Sequence, residues 1–180
     1  MRLPNPFRAQ AIGVLDMSLV RMLNRTMTLK GVQPFFSMVS WLGNGKFWYA
    51  LMLVLPLCSP VGWKASLHMG IVALVNLQLY RFIKKRAQRP RPCNACEDIL
   101  RGTAPLDEFS FPSGHTMHAI GFTVIALAWF PQLALILTVF TVLTILSRMI
   151  LGLHYPTDVL LGAGLGFAVA KVSLMVLGMS

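Results

Sequence analysis

Charged residues are scarce in this chain, and acidic residues are the scarcest. Of 180 residues only 12% are charged and six are Asp or Glu, whereas 56% are hydrophobic and the mean hydropathy is +0.65. Soluble domains carry about 25% charged residues, so this composition excludes an ordinary soluble enzyme and predicts an integral membrane protein. The length suits a single domain.

Cysteine is equally scarce, and the N-terminus lacks the pattern of a cleavable signal. Cys58 lies in an apolar run, while Cys93 and Cys96 form a C-x-x-C pair in a polar stretch. That pair permits a disulfide if its loop is extracytoplasmic, and a zinc site would need two further ligands. Residues 1–30 have neither an uninterrupted apolar core nor a small-residue cleavage site, so we expect no cleaved signal peptide.

The sixteen basic residues give a net charge of +10 and form two clusters. Five lie within residues 1–30 and six within 84–101. Such charge in a membrane protein indicates anionic lipid headgroups or an anionic substrate. Nucleic acid is not an expected partner, because no aromatic-interleaved basic surface outside the membrane is long enough to form a groove.

Hydrophobic runs predict an all-α fold, a polytopic transmembrane helix bundle of five spans. Polar residues within the runs (His68, Asn76, Gln78) are expected to join helices, and three glycines (Gly162, Gly164, Gly166) to permit close packing. The predicted spans lie within residues 35–60, 63–83, 112–131, 132–151 and 159–178.

The N-terminal segment, residues 1–34, differs from these spans. Over residues 9–30, Ile12, Leu15 and Leu19 share one helical face and Asp16 lies elsewhere, which predicts an amphipathic helix. Such a helix either lies in the headgroup region or packs on the bundle, and a sixth span results if it crosses. We expect residues 1–180 to form one membrane-embedded domain.

The five-span arrangement brings three polar elements to one membrane face. They are the polar loop 84–112, the helix start at 113–115 and the segment 147–158. Their convergence at one end of the bundle predicts a functional site.

Arg148, His154 and Asp158 are the only charged or histidine side chains between His118 and Lys171. Such residues are costly beside hydrocarbon, so they indicate function. The four-residue spacing lets the carboxylate approach one imidazole nitrogen and leaves the lone pair of the other free. A neutral imidazole beside a guanidinium suits attack on phosphate. The alternative is an interfacial histidine followed by a helix-capping aspartate.

Three permanent cations, Lys84, Arg91 and Arg148, face the same end and would neutralise phosphoryl charge. Ser113 and Gly114 add a hydroxyl and free backbone N–H groups at a helix start, although an N-cap serine with a purely structural role has the same pattern.

Two histidines on this face, His115 and His154, form an acid–nucleophile pair in which one attacks phosphorus and the other protonates the leaving oxygen. His118 lies deeper and is expected to pack between helices. The histidines and Asp158 offer metal ligands as an alternative, but the surrounding Lys and Arg would repel a cation.

These residues form three motifs, and together they resemble the three-part signature of the type 2 phosphatidic acid phosphatase superfamily, in its integral-membrane lipid phosphatase branch. The motifs are Lys84-x6-Arg91-Pro92, Pro112-Ser113-Gly114-His115 and Ser147-Arg148-x5-His154-x3-Asp158. Lys85 and Arg89-Pro90 nearly duplicate the first motif, and the six-residue spacing favours Lys84.

The resemblance implies a role for each motif residue. His154 would be the nucleophile that forms a phosphohistidine, Asp158 would orient it, and His115 would be the general acid and then the base. No metal or cofactor is implied. The phosphoryl oxygens would be held by Lys84, Arg91, Ser113, Gly114 and Arg148.

The implied function is hydrolysis of a lipid phosphate or diphosphate such as undecaprenyl diphosphate, phosphatidic acid or phosphatidylglycerophosphate. Alternatives are a lipid A phosphatase, a lipid-to-lipid phosphotransferase with the same site, and a non-catalytic lipid-binding or transport protein. The resemblance implies the bacterial inner membrane with the site facing the periplasm. The positive-inside rule opposes this, because the basic N-terminus shares the site's face in a five-span arrangement.

Overall fold

The computed structural model describes residues 6–179, which form helices joined by turns and loops and contain no β-strand. Residues 1–5, residue 180 and the side chains of residues 6–12 lie outside the described part. The predicted all-α class is confirmed. The helices of the described residues are α1 (Pro6–Asn24), α2 (Val32–Trp41), α3 (Phe47–Cys58), α4 (Gly62–Ala87), α5 (Pro92–Ala95), α6 (Gly114–Trp129), α7 (Ala134–Ile150) and α8 (Pro156–Val176).

Among the described residues, three helical segments are long and apolar enough to cross a membrane, namely Gly62–Ala95, Pro131–Ile150 and Pro156–Val176. They correspond to the second, fourth and fifth predicted spans. The third predicted span is α6, whose 16 residues extend about 24 Å. It is shorter than a bilayer core of about 30 Å. The count of five or six spans therefore stays a prediction.

The first predicted span, within residues 35–60, forms two helices. α2 and α3 contain 10 and 12 residues and are separated by a kink at residues 42–46. The cause is local, since Asn44 has a non-helical ψ of 37° and Gly45 has φ of 98°, a conformation that favours glycine. Each half is too short to cross a bilayer as a single helix.

α6 lies at the centre of the bundle and packs against α4, α7 and α8. Two predicted glycine contacts are confirmed, because a Cβ on Gly166 would lie 2.2 Å from the Met117 carbonyl oxygen and one on Gly162 would lie 2.6 Å from that of Ser113. The same prediction for Gly164 is wrong, because a Cβ there would meet open space. α8 therefore approaches α6 along a single glycine face.

Polar side chains join the helices as predicted for His68 and Asn76. His68 Nε2 lies 2.9 Å from Ser173 Oγ, and the Trp129 indole N–H donates to His68 Nδ1 at 3.2 Å. The Asn76 amide donates to the Met117 carbonyl at 3.4 Å. Gln78 is exposed, so the prediction of a helix-joining role for it is wrong.

α1 packs on the bundle with its polar residues inward. Asp16 and Asn24 are buried, whereas Leu15 and Leu19 are exposed. The Asn24 amide donates to the carbonyl oxygens of Leu100 and Ile150 at 2.8 and 2.9 Å. Of the two predicted arrangements, packing on the bundle is the one observed, and the exposed apolar face is suited to lipid.

The polar loop predicted over residues 84–112 begins later than expected. α4 continues to Ala87, so Lys84 lies on a helix, and the irregular chain starts at Gln88. Gln88 has φ of 45°, the left-handed conformation common after a helix C-terminus. The loop then returns across the end of the bundle to α6, and this course positions the site.

Candidate functional site

A cavity of about 630 Å³ lies at the end of the bundle where α4 and α7 end and α6 begins. One part is lined by polar groups and the other by apolar side chains of α3, α4 and α6. The polar lining comprises Lys84, Arg91, Asp107, Gly114, His115, His118, Arg148 and His154. The apolar lining includes Trp48, Met52, Leu67, Ile71, Leu74 and Phe122.

Lys84 and Arg91 converge on one carboxylate, that of Asp107. Lys84 Nζ lies 2.6 and 2.7 Å from the two carboxylate oxygens, and Arg91 Nη2 lies 2.6 Å from Oδ1. Burial by itself raises the pKa of Asp107, but Lys84 and then Arg91 outweigh it and hold the pKa below its ordinary value. Two cations that share one anion define an anion-binding position in the cavity.

Arg91 also contacts the predicted nucleophile. Its Nη1 donates to the Leu153 carbonyl at 2.9 Å and lies 3.2 Å from His154 Nε2. Because a guanidinium carries only donors, His154 Nε2 is the acceptor in this contact and holds a lone pair. The neutral imidazole then carries its proton on Nδ1.

His154 Nδ1 lies 3.5 Å from Asp158 Oδ2, longer than an ordinary N–H···O hydrogen bond. The same oxygen accepts the Tyr155 backbone N–H at 2.9 Å, so Asp158 both caps α8 and faces the imidazole. Asp158 therefore has the capping role of the alternative interpretation, and its approach to His154 is also compatible with the predicted catalytic pair. Burial is the main cause that lowers the pKa of His154 well below its ordinary value, and Arg148 adds to it.

Arg148 is buried and forms part of the cavity wall. Its Nη1 donates a short hydrogen bond to the hydroxyl of Ser40 on α2. Its Nε has no hydrogen-bond partner among the described residues. A buried guanidinium with an unused donor at a cavity wall is available to an anion.

The Pro-Ser-Gly-His segment starts α6 with Ser113 at the N-cap position. Ser113 is fully buried and its hydroxyl lies 3.0 Å from Thr116 Oγ1, whereas Gly114 and His115 line the cavity. His118 also reaches the cavity, and its Nδ1 lies 2.9 Å from the Gly114 carbonyl oxygen. Six of the eight predicted site residues line the cavity. Asp158 adjoins it through its approach to His154, whereas Ser113 is buried and does not line it.

Three polar residues near the site carry interactions that the sequence did not predict. Asp107 appeared only as one of four loop acids, and Ser40 and Asp16 had no distinguishing local pattern. Arg89 carried a detectable signal, because Arg89-Pro90 nearly duplicates the first motif. In the structure its guanidinium contacts Asp158, whereas Lys84 and Arg91 contact Asp107.

The remaining candidate ligands do not form a metal cluster. Cys93 and Cys96 are free thiols in the described structure. Within residues 6–179 there is no group of three or more His, Cys, Asp or Glu side chains arranged to hold a metal ion.

The family model of the PAP2 superfamily matches residues 62–179. The chain belongs to the PAP2 superfamily. The match starts at α4 and includes every predicted site residue, while α1, α2 and α3 precede it. Members of this family of phosphatases hydrolyse phosphate esters, and the resemblance seen in the three motifs is confirmed.

Three proteins to which this chain is similar come from bacteria. The chain is 32% identical over 126 residues to decaprenylphosphoryl-5-phosphoribose phosphatase of Mycobacterium tuberculosis, covering 69% of this chain and 68% of that protein. LpxE of Aquifex aeolicus has a TM-score of 0.78 at 26% identity, with 89% of this chain and 95% of that chain covered. The transmembrane PAP2-type phosphatidylglycerolphosphate phosphatase of Bacillus subtilis has a TM-score of 0.76 at 25% identity, with 92% and 86% covered.

Proposed function

We propose that this PAP2 protein is a membrane lipid phosphatase that removes a phosphate monoester or terminal diphosphate group through a phosphohistidine on His154. The observation that carries the proposal is the position of the Asp107 carboxylate between Lys84 and Arg91. The carboxylate oxygens stand where two phosphoryl oxygens would bind. Arg91 links that position to the lone pair on His154 Nε2, 3.2 Å from its Nη1.

In the first step the phosphoryl group displaces Asp107 and takes up its contacts with Lys84 and Arg91. Nε2 of His154 attacks phosphorus, the bond from phosphorus to the lipid oxygen breaks, and His115 gives that oxygen a proton. The imidazole becomes positively charged because Nε2 is now bonded to phosphorus while Nδ1 keeps its proton. That Nδ1–H faces Asp158 Oδ2. Arg148, with its free Nε–H, and the Gly114 N–H neutralise charge on the remaining oxygens.

In the second step water hydrolyses the phosphohistidine and takes the place of His154 on phosphorus. His115, now neutral, accepts a proton from water as the water oxygen attacks phosphorus, and the phosphorus–nitrogen bond breaks. Inorganic phosphate leaves and His154 returns to its neutral form. The Ser113 hydroxyl lies 3.0 Å from Thr116 Oγ1 and would have to leave this contact to bind phosphate.

The proposed reaction uses cations that belong to the protein itself. Lys84, Arg91 and Arg148 supply the positive charge that a divalent metal supplies in other phosphatases. A cation added beside three permanent positive charges would be repelled. We therefore propose a metal-independent reaction without a cofactor.

The apolar part of the cavity supports a lipid as the substrate. Its lining residues on α3 and α4 are continuous with the exposed apolar surface, where Ile71 and Leu74 are among the exposed side chains. The relatives that act on a decaprenylphosphoryl compound and on phosphatidylglycerolphosphate support two substrate classes, isoprenyl and glycerophospholipid phosphates. We propose an isoprenyl diphosphate of the undecaprenyl type, phosphatidic acid or phosphatidylglycerophosphate, with lipid A phosphate as the alternative.

We also propose the setting of this reaction. Residues 1–180 form one membrane-embedded domain with five spans, α2 and α3 together making the first. The bacterial relatives support the inner membrane, and the site is proposed to face the periplasm.

The test is release of inorganic phosphate by detergent-purified protein in the presence of EDTA. The substrates are phosphatidic acid, phosphatidylglycerophosphate, undecaprenyl diphosphate and decaprenylphosphoryl-5-phosphoribose. We expect at least one to be hydrolysed by the wild type and none by His154→Ala. Vanadate, which adopts the five-coordinate geometry of the reacting phosphorus, is expected to inhibit.

The matched control is His68→Gln, which alters a histidine that contacts Trp129 and Ser173 away from the cavity. It is expected to retain activity. Loss of activity in EDTA with recovery on added metal would contradict the metal-free mechanism. A folded wild type that labels a lipid acceptor but releases no phosphate would indicate the phosphotransferase.

A further inference from the structure

Arg89 lies between two carboxylates, one of them the partner of the proposed nucleophile. Its Nη1 donates to Asp158 Oδ1 at 2.7 Å, and its Nη2 donates to Asp16 Oδ2 at 2.7 Å. The two oxygens of Asp158 are thus divided, because Oδ1 contacts Arg89 while Oδ2 faces His154 Nδ1. The orientation of the Asp158 carboxylate therefore depends on its contact with Arg89 as well as on its approach to His154.

Asp16 belongs to α1 and reaches this cluster from outside the family-matched region. It is only 3% exposed. The Thr157 backbone N–H donates to its Oδ1 at 3.1 Å, and the Thr157 hydroxyl donates a short hydrogen bond to its Oδ2. A buried carboxylate is stable only when it is paired and hydrogen-bonded, and here the partners are Arg89 and the residue before Asp158.

Two further contacts hold Arg89 in place. Its guanidinium carbon lies 3.8 Å from the centroid of the Tyr155 ring, in the geometry of a cation–π contact. The Ser110 backbone N–H donates to the Arg89 carbonyl at 2.8 Å. Arg89 is therefore fixed at both its backbone and its side chain, and a fixed donor can fix its acceptor.

We propose that Arg89 and Asp16 are positioning residues, which hold Asp158 Oδ1 so that Oδ2 faces His154 Nδ1. This inference rests on the proposed function of the His154–Asp158 pair. Partners behind a reacting histidine set its tautomer and ring orientation, and their loss commonly lowers activity about 10- to 100-fold in comparable metal–histidine sites. α1 is then a part of the catalytic domain rather than only a membrane-surface helix.

A purely structural role for the same contacts makes a different prediction. If Arg89 and Asp16 serve only to dock α1, their loss lowers the unfolding temperature and leaves turnover by folded protein unchanged. If they position Asp158, kcat falls while KM is kept, because phosphate contacts Lys84 and Arg91 instead.

The experiment measures kcat, KM and unfolding temperature of full-length wild type, Asp16→Asn and Arg89→Lys with the best substrate of the phosphate-release panel. We expect kcat to fall roughly tenfold or more in both variants, with KM within about twofold. Lys keeps the charge of Arg89 but cannot bridge two carboxylates as the planar guanidinium does. Where Asp16→Asn yields too little folded protein, Arg89→Lys decides.

The matched control is Asp98→Asn, which breaks another ion pair of α1, between Arg21 Nε and Asp98 Oδ2 at 2.7 Å. It is expected to keep the wild-type kcat. Wild-type kcat in folded Arg89→Lys would overturn this inference while leaving the proposed function intact. A folded wild type that releases no phosphate from any substrate would overturn the proposed function and this inference with it.

Discussion

Asp107 and Arg91 form the ion pair that occupies the polar end of the cavity, with Arg91 Nη2 2.6 Å from Asp107 Oδ1. The Arg91 side chain is 2% exposed and that of Asp107 is 38% exposed. The cation is thus built into the wall, whereas the anion approaches from the solvent side on an irregular loop. An incoming phosphate has to compete with this carboxylate for Arg91 and Lys84.

Removal of the competing charge is expected to strengthen phosphate binding. We predict that Asp107→Asn lowers KM and the inhibition constant of vanadate roughly threefold to tenfold, since partly exposed ion pairs contribute up to about 1 kcal/mol each. Steady-state phosphate release measures both constants. Glu108→Gln removes the same charge from the exposed neighbour and is expected to change neither. A higher KM in Asp107→Asn would instead assign Asp107 to holding the two cations in position.

Acidification is expected to destabilise the protein through His154. Its folded-state pKa is lowered well below 6.5, so below that value the unfolded chain binds a proton that the folded protein does not. Stability from the neutral, buried imidazole is thus complete above pH 6.5 and is lost as the pH falls below it. Thermal unfolding in detergent from pH 7.5 to 5 should show a shallower decline for His154→Asn than for the wild type. Parallel declines would contradict this assignment.

The contact of α8 with α6 is expected to tolerate no side chain at Gly166. A Cβ there would lie 2.2 Å from the Met117 backbone oxygen, which cannot rotate away. Gly166→Ala should therefore destabilise the bundle by about 1–3 kcal/mol, the usual cost of overpacking. Gly164→Ala, two residues away and facing open space, is the control and should have the wild-type unfolding temperature. Equal unfolding temperatures for both variants would contradict the close approach of these helices.

The native cysteines provide a test of the proposed orientation. Cys93 and Cys96 are partly exposed at the site end of the bundle, and Cys58 is exposed at the C-terminus of α3. If the site faces the periplasm, a membrane-impermeant maleimide should label a variant that retains only Cys93 and Cys96 in intact, reductant-treated cells. A variant that retains only Cys58 should be labelled after permeabilisation only. The reverse pattern would place the site on the cytoplasmic face, in agreement with the positive-inside rule.

Local sequence patterns were sufficient where one segment supplies the whole interaction. The Pro156 start of α8, the capping contact of Asp158 and its approach to His154 all lie within five residues, so their spacing predicted them. The kink at Gly45 was not predicted within the first span, although Asn44 and Gly45 are residue types that favour such a break. Helix lengths were less predictable, because the apolar run ends at Ile83 whereas α4 continues through the basic residues to Ala87.

Long-range partners could not be predicted in this way. Asp107 was one acid among four in a loop, and only the folded loop brings it within 2.6 Å of Lys84, which is 23 residues earlier. The amphipathic pattern of α1 left open which of its faces turns inward. In the structure Asp16 is buried and Leu15 and Leu19 are exposed, as suits a helix whose outer face contacts lipid.

The sequence by itself determined the membrane class, the all-α fold, the family and the set of residues that face one end of the bundle. Hydropathy, helix-start chemistry and motif spacing are local properties, so they can be recognised from the sequence without the folded structure. The tertiary structure alone decided that Asp107 pairs with Lys84 and Arg91, and that Arg89 joins Asp158 to Asp16. Those pairs connect residues 16 to 73 positions apart, and only the folded loop and the packing of the helices bring their charges to within 3 Å.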